Sequence, residues 1–124
     1  DLNKAPDIAQ TIAVTCFGLG ISCNLNGLHT LKIKETDRLE ALHKELSKLG
    51  ATISVTDDSL DLKASSKINS NISIETYNDH RMAMAFTPLA IKTPIQILDA
   101  GVVTKSYRNF WEDMQQIGFQ FNKL

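Results

Sequence analysis

The most constraining feature of this chain is a pair of helix-like segments that carry no charged face. Ile8-Ala9-Gln10-Thr11-Ile12-Ala13-Val14-Thr15-Cys16-Phe17-Gly18 follows Pro6-Asp7 and holds no ionisable side chain but a cysteine. Met82-Ala83-Met84-Ala85-Phe86 follows Asp79-His80-Arg81 in the same way. Pro and Asp are good first-turn residues, and Asn78-Asp79 caps the second segment. A helix without a polar stripe must be covered nearly all round. The fold therefore has to wrap other elements around these two.

The elements that do the wrapping read as alternating strands and helices. Ile21 to Leu25 alternates weakly as a strand, and Asn26-Gly27 marks a turn. Leu28 to Ile33 reads as extended. Leu39, Leu42, Leu46 and Leu49 then step by three, four and three, which is one helical face. Thr36 is the expected N-cap, and Glu40, His43, Lys44, Glu45 and Lys48 are expected on the solvent face. Gly50 stops the helix. Ala51 to Thr56 and Leu60 to Lys63 alternate around Asp57-Asp58-Ser59 as a hairpin. Residues 64 to 71 form a polar loop, and Ile72 to Glu75 a short strand. Pro88 is expected to kink the second uncharged helix or to loosen its last turn. Pro94 to Leu98 leads into a strand and Asp99-Ala100-Gly101 into a loop. A last helix follows with Tyr107, Phe110, Trp111, Met114 and Ile117 inward, then Gly118 and a closing strand Phe119-Gln120-Phe121.

One pattern thus runs twice: Asp, uncharged helix, strand, Lys, amphipathic helix, Gly, strand. The step from Asp7 to Lys34 is 27 residues and that from Asp79 to Lys105 is 26. A duplicated unit explains this, with unit one at about 1–63 and unit two at about 72–124. Side by side, the two units bring equivalent helix starts to one face. Asp7, Lys34, Glu35 and Arg38 then meet His80, Arg81 and Lys105. The chain's net charge is only −1, so no general nucleic-acid or membrane surface is expected, and a cation cluster must be local. Cations at the edge of a core call for a bound anion, and the expected ligand is small and multiply anionic, a phosphate or a carboxylate.

Other chemistries fit poorly. Asp79, His80 and His29 match no common metal-ligand spacing, and the neighbouring cations oppose a metal. Cys16 and Cys23 show no CxxC pair, no charged neighbour and no elbow motif, which fits free thiols in a reducing compartment. Gly18-Leu19-Gly20 follows a helix instead of opening one, so it is no phosphate loop. No apolar run is long enough to span a bilayer. The helix signal at the very start, without a leading strand, suggests a piece of a longer protein.

The residues also carry a family pattern. Asp1-Leu2-Asn3-Lys4-Ala5-Pro6-Asp7, Lys34-Glu35-Thr36-Asp37-Arg38-Leu39, Tyr77-Asn78-Asp79-His80-Arg81-Met82-Ala83-Met84 and Lys105-Ser106-Tyr107 resemble the EPSP synthase family (3-phosphoshikimate 1-carboxyvinyltransferases), in the family's order and over the C-terminal part of its length. The resemblance implies an α/β fold: part of an inside-out α/β barrel of βαβαββ units, with buried helices and outward sheets. It implies transfer of the enolpyruvyl group of phosphoenolpyruvate to the 5-hydroxyl of shikimate 3-phosphate, by addition and elimination without a cofactor, in a usually monomeric cytoplasmic enzyme of aromatic amino acid biosynthesis. Residue by residue, Asp7 would bind the shikimate hydroxyls and take a proton. Lys34 would lie between the substrates, and Glu35 would protonate the methylene carbon. Arg38, His80, Arg81 and Lys105 would hold phosphoenolpyruvate. Thr30 stands where the family often has an Asn that contacts shikimate 3-phosphate, a departure that puts this contact in question. Glu35, flanked by Lys34 and Arg38 at a helix start, is expected to ionise easily, and only two polyanionic substrates would push its proton affinity up. The missing N-terminal part of such an enzyme would carry the rest of the site, so the chain alone is expected to be inactive. Two alternatives are a non-catalytic small-anion-binding domain of the same fold and a relative of the UDP-N-acetylglucosamine enolpyruvyl transferase. The Asp79-to-Met84 block favours EPSP synthase over the latter.

Overall fold

The computed structural model describes residues 6–34, 37–103 and 109–118. Thr36, residues 104–108 with the expected inward Tyr107, and the expected strand at 119–121 lie outside these residues. Among the described residues, four α-helices and five strands are arranged as α1 (Ala9–Leu19), β1 (Cys23–Leu25), α2 (Arg38–Lys48), β2 (Ile53–Val55), β3 (Leu60–Leu62), β4 (Ile72–Ile74), α3 (His80–Phe86), β5 (Ile95–Ile97) and α4 (Phe110–Gln116). Short 3-10 helices precede α1 and α2, follow α3, and span Ala100–Val103.

The helices that lack charge are the ones at the centre. α1 packs on α3, through Ala13, Val14 and Phe17 on one and Met82, Ala85 and Phe86 on the other, all within one buried cluster. Gly18 lets the chains approach: a Cβ there would stand 2.9 Å from Leu89 Cδ2. Burial is not complete. Thr11 and Thr15 are exposed, and Leu19 is 63% exposed. α1 is covered on the side of α3 and left open on the other.

The sheets lie outside this helical centre. β3 is the middle strand between β1 and β2, antiparallel to both. Leu60 and Leu62 are fully buried, and they sit in register between Leu25 and Cys23 on one side and Val55 and Ile53 on the other. Asn24, Ser54 and Asp61 take the opposite, outward face, where Asn24 Nδ2 donates to Asp61 Oδ1 at 3.3 Å. β4 and β5 run parallel with α3 as the crossover between them. Their isoleucines share one face, and Ser73 and Gln96 hydrogen-bond on the other at 2.6 Å. Helices in the centre and polar sheet faces outward agree with the inside-out arrangement expected from the sequence.

α2 joins the two sheets to the core. Leu39, Leu42, Leu46 and Leu49 are all 0% exposed. Its N-cap is Asp37, whose side chain accepts the Glu40 N–H at 3.1 Å; the expected cap, Thr36, is one residue too early. Gly50 takes the left-handed position (φ 104°) that closes the helix. The loop after the hairpin then returns to satisfy its last turn, with Asn69 donating to the carbonyls of Leu49 and Lys48.

Other expectations need correction. Residues His29–Ile33 form a 3-10 helix, not an extended run. Leu31 is buried there while Ile33 is 82% exposed, and that spacing suits a tight helical turn better than a strand. Ile117 is 72% exposed, so the inner face of α4 ends earlier, at Phe110, Trp111 and Met114. Glu45, assigned to the solvent face of α2, is 1% exposed. Periodicity marks the leucine stripe but not its width, and Glu45 borders that stripe.

Leu42→Ala would remove a fully buried side chain and should cost about 2–5 kcal/mol. Lys44→Ala, on the exposed side of the same turn, should stay within about 0.5 kcal/mol of wild type. Urea midpoints of the two variants test whether α2 faces the core as described.

Candidate functional site

The site forms where three chain segments begin. Asp7 lies in the 3-10 turn Pro6–Ile8 that opens α1. Lys34 closes the 3-10 helix His29–Ile33. Arg38 is the first residue of α2, and Asp79 is the N-cap of α3. Packing of α1 against α2 and α3 brings these starts together.

Arg38 is the centre of the group. Its side chain is 2% exposed. Nε donates to Asp79 Oδ2 at 2.7 Å and Nη2 to Asp79 Oδ1 at 3.2 Å, a two-pronged pairing of planar groups. Nη1 donates to Asp7 Oδ1 at 3.1 Å. Asp79 is wholly buried and also accepts the Arg81 N–H at 2.9 Å, so one carboxylate caps α3 and neutralises α2. Asp7 is 38% exposed on its side chain and reaches Lys34 Nζ at 3.6 Å. Two carboxylates and two cations thus make a balanced cluster, buried at Asp79 and open at Asp7 and Lys34.

From the sequence, cations at the core edge call for a bound anion; the structure shows that Arg38 and Lys34 also have internal partners. Asp7 and Asp79 supply the negative charge. The sequence reading makes Asp79 a cap and the start of the second repeat, with no ion-pair partner assigned. Its second role could have been inferred, because a carboxylate at the mouth of an uncharged helix must be paired if it is buried.

The remaining predicted residues divide. His80 and Arg81 follow Asp79 in the first turn of α3, His80 half-buried and Arg81 exposed. Thr30 lies in the 3-10 helix that ends at Lys34, and its hydroxyl oxygen is buried without a hydrogen-bond partner among the described residues. Gln10, one turn into α1 from Asp7, is 1% exposed with both amide atoms likewise unpaired. Sequence reading missed it, although it is the one long polar side chain in that helix. Glu35 and Lys105 lie outside the described residues. Among the described residues there is no group of His, Cys, Asp and Glu able to hold a metal, and no helix is long and apolar enough to cross a membrane.

A strained turn sets Asp79 in place. Tyr77 and Asn78 both have positive φ, 55° and 57°. Each such residue costs on the order of 1 kcal/mol in an L-chain, more readily accepted by Asn than by Tyr. The Tyr77 hydroxyl donates to Glu45 Oε2 at 2.5 Å. Burial, and then this bond to a carboxylate, push the Tyr77 hydroxyl well above the ordinary phenol value of 10.0. Away from the site, Cys23 is pushed up to about 12 by burial and by the adjacent Cys16 thiol.

Removing Asp79 as Asp79→Ala would take the two-pronged, fully buried partner from Arg38 and break a buried ion pair, and a loss of about 3–5 kcal/mol in urea unfolding is expected. Asp7→Asn, at the open end, should cost no more than about 1 kcal/mol. The double variant Arg38→Met with Asp79→Leu should recover most of the loss of the single variant. Tyr77 predicts a pH effect of fixed sign. The folded hydroxyl holds its proton more tightly than the unfolded one, so its contribution is complete below pH 10.0 and fades as the pH rises through the raised folded value. Above pH 10.0, wild type should lose stability more steeply than Tyr77→Phe, as urea midpoints against pH will reveal.

The sequence profile of the EPSP synthase family (3-phosphoshikimate 1-carboxyvinyltransferase) matches residues 1–114. A 3-phosphoshikimate 1-carboxyvinyltransferase of Bacteroides fragilis is 46% identical over 122 residues, which is 96% of this chain and 30% of that protein. The enzyme of the same name from Salmonella arizonae is 38% identical over 94% of this chain and 27% of its own length. The solved structure of EPSP synthase from Acinetobacter baumannii superposes with a TM-score of 0.80 at 25% identity, over 90% of this chain and 27% of that one. The chain therefore spans about 30% of the length of the relatives it matches. With the profile covering nearly all of its length and the inside-out fold shared, the chain belongs to the EPSP synthase family.

Proposed function

We propose that this chain supplies one wall of the active site of a 3-phosphoshikimate 1-carboxyvinyltransferase. In that reaction the 5-hydroxyl oxygen of shikimate 3-phosphate bonds to C2 of phosphoenolpyruvate while C3 gains a proton. The tetrahedral adduct then loses a C3 proton and phosphate, leaving the enolpyruvyl ether. The observation that carries the reading is the cluster of Asp7, Lys34 and Arg38, brought together from separate segments at positions that match the family's motifs.

The cluster supports a division of roles. Arg38 is fixed on its Nε side by Asp79, while Asp7 occupies its Nη1 edge. An incoming phosphoenolpyruvate carboxylate or phosphate competes with Asp7 for Arg38 Nη1 and Lys34 Nζ. Displaced from these cations, the Asp7 carboxylate is available to the shikimate hydroxyls and to the 5-hydroxyl proton. Lys34 stays between the two substrates. His80, Arg81 and Lys105 add to the phosphoenolpyruvate grip, and Glu35 protonates C3 once both anions are bound. The orphan hydroxyl of Thr30 suits a polar group of shikimate 3-phosphate, since a buried oxygen without a partner costs about 1–3 kcal/mol until one arrives. No cofactor is needed for either step.

The division into two repeated units belongs to the same proposal. A 3-10 helix precedes Lys34 in the first half, and another ends at Val103, just before Lys105, in the second. Between α1 and the end of α3 with its following 3-10 helix lies an apolar groove of about 210 Å³ lined by Val14, Gly18, Leu19, Ala85, Pro88 and Leu89. That face is suited to the remaining part of such an enzyme, which would also complete the two-walled site. A cytoplasmic, monomeric protein is the form that the family reading supports.

Phosphate release from phosphoenolpyruvate and shikimate 3-phosphate by the full-length protein that carries this chain tests the assignment. Turnover is expected in the full-length protein and not in the chain of 124 residues alone, because one wall neither excludes water nor orients two substrates. Glu35→Gln should lower kcat by about a hundredfold or more, the range of a lost proton donor. Near-normal turnover in that variant would remove Glu35 from its role, and a full-length wild type without phosphate release would remove the assignment.

A further inference from the structure

Seven residues along α2 from Arg38 stands Glu45, on the same face of the helix. It is the other buried charged residue of that helix, at 1% exposure. Its Oε1 accepts the Glu75 backbone N–H at 2.9 Å and faces Lys48 Nζ at 2.5 Å. Its Oε2 accepts the Tyr77 hydroxyl at 2.5 Å. Lys48 Nζ in turn donates to the Ser73 carbonyl at 3.1 Å. Lys48 on its own helix could have neutralised this carboxylate. The bonds to Glu75 and Tyr77 do something else, tying α2 to the segment between β4 and α3.

That segment needs restraint. Tyr77 and Asn78 are consecutive left-handed residues, a conformation that persists only where the surroundings impose it. They come directly before Asp79, His80 and Arg81. α2 therefore grips the connection at two points: Glu45 holds its start at Glu75 and Tyr77, and Arg38 holds its end at Asp79. Between the two points the turn has no freedom to change hand without breaking a buried bond.

We infer that Glu45 is a positioning residue of the active site: through Tyr77 it locks the left-handed turn that sets Asp79 against Arg38 and presents His80 and Arg81 to the substrate anion. The inference rests on the reaction proposed above. Glu45 itself touches no substrate. It acts by fixing the entry to α3, so its loss should weaken the hold on phosphoenolpyruvate and spare shikimate 3-phosphate.

The test compares the full-length protein with its Glu45→Gln, Tyr77→Phe and combined variants. Glu45→Gln keeps an acceptor for the Glu75 N–H and removes the charge. Tyr77→Phe keeps the ring and removes only the hydroxyl, so the result does not hang on one variant folding. Amide exchange over residues 75–81 should rise about tenfold in each, with β1 to β3 unchanged. KM for phosphoenolpyruvate should rise about tenfold, and KM for shikimate 3-phosphate by less than about twofold. The combined variant should be no worse than the poorer single one, since both remove the same bond. Unchanged exchange at 75–81 would overturn the inference. Raised exchange with an unchanged phosphoenolpyruvate KM would also do so, as would equal losses for both substrates, the sign of a generally loosened fold. A wild type that releases no phosphate removes the proposed reaction instead, and the exchange measurement then decides the role of Glu45 by itself.

Discussion

The structure depends on one buried guanidinium. Arg38 starts α2 inside the core, where an unpaired charge would be worth several kcal/mol against folding. Its partners come from the entries to the other two central helices, Asp7 before α1 and Asp79 before α3. Satisfying Arg38 therefore fixes three helix starts relative to one another. A hydrophobic core alone would allow these helices to slide. A planar guanidinium with donors on two edges does not, because each edge demands a carboxylate at a set place.

The same pairing explains why the candidate site is both stable and available. Asp79 is closed off from water and belongs to the frame. Asp7 and Lys34 are open and can exchange partners. Glu45 extends the frame to the other end of the β4–α3 connection, so one helix carries two buried charges of opposite sign that hold a single strained turn. The proposed binding of two polyanions would gain from cations that are already aimed before the ligands arrive, since little reorganisation is then needed on binding.

Much of the fold could be read from residue patterns. The uncharged helices, the leucine stripe of α2, the hairpin around Asp57-Asp58-Ser59 and the strand at Ile72 all stand where expected. These features are local: periodicity, turn residues and helix stops act over a few positions. Two of the readings that failed turn on packing or side-chain partners from far along the chain. Glu45 stands between Lys44 and Leu46, off the leucine stripe, and still is buried, because Glu75 and Tyr77 reach it across 30 and 32 residues. The 3-10 helix at His29–Ile33 replaces an extended run for a comparable reason, since packing of Leu31 into the core outweighs a weak strand pattern.

By itself, the sequence determined that two helices had to be buried, that charged residues had to gather at their starts, and that the motif blocks belong to one family. Helix burial follows from composition and period, and family membership from the order of residues, so neither needs coordinates. Only the tertiary structure decided which charge meets which. The sequence places Arg38 beside Lys34 and Glu35 and suggests a cation waiting for a ligand. The fold instead turns it inward to Asp79, which lies 41 residues away. Pairing energies depend on distance and burial, and both are set by how helices cross, not by their neighbours in the chain.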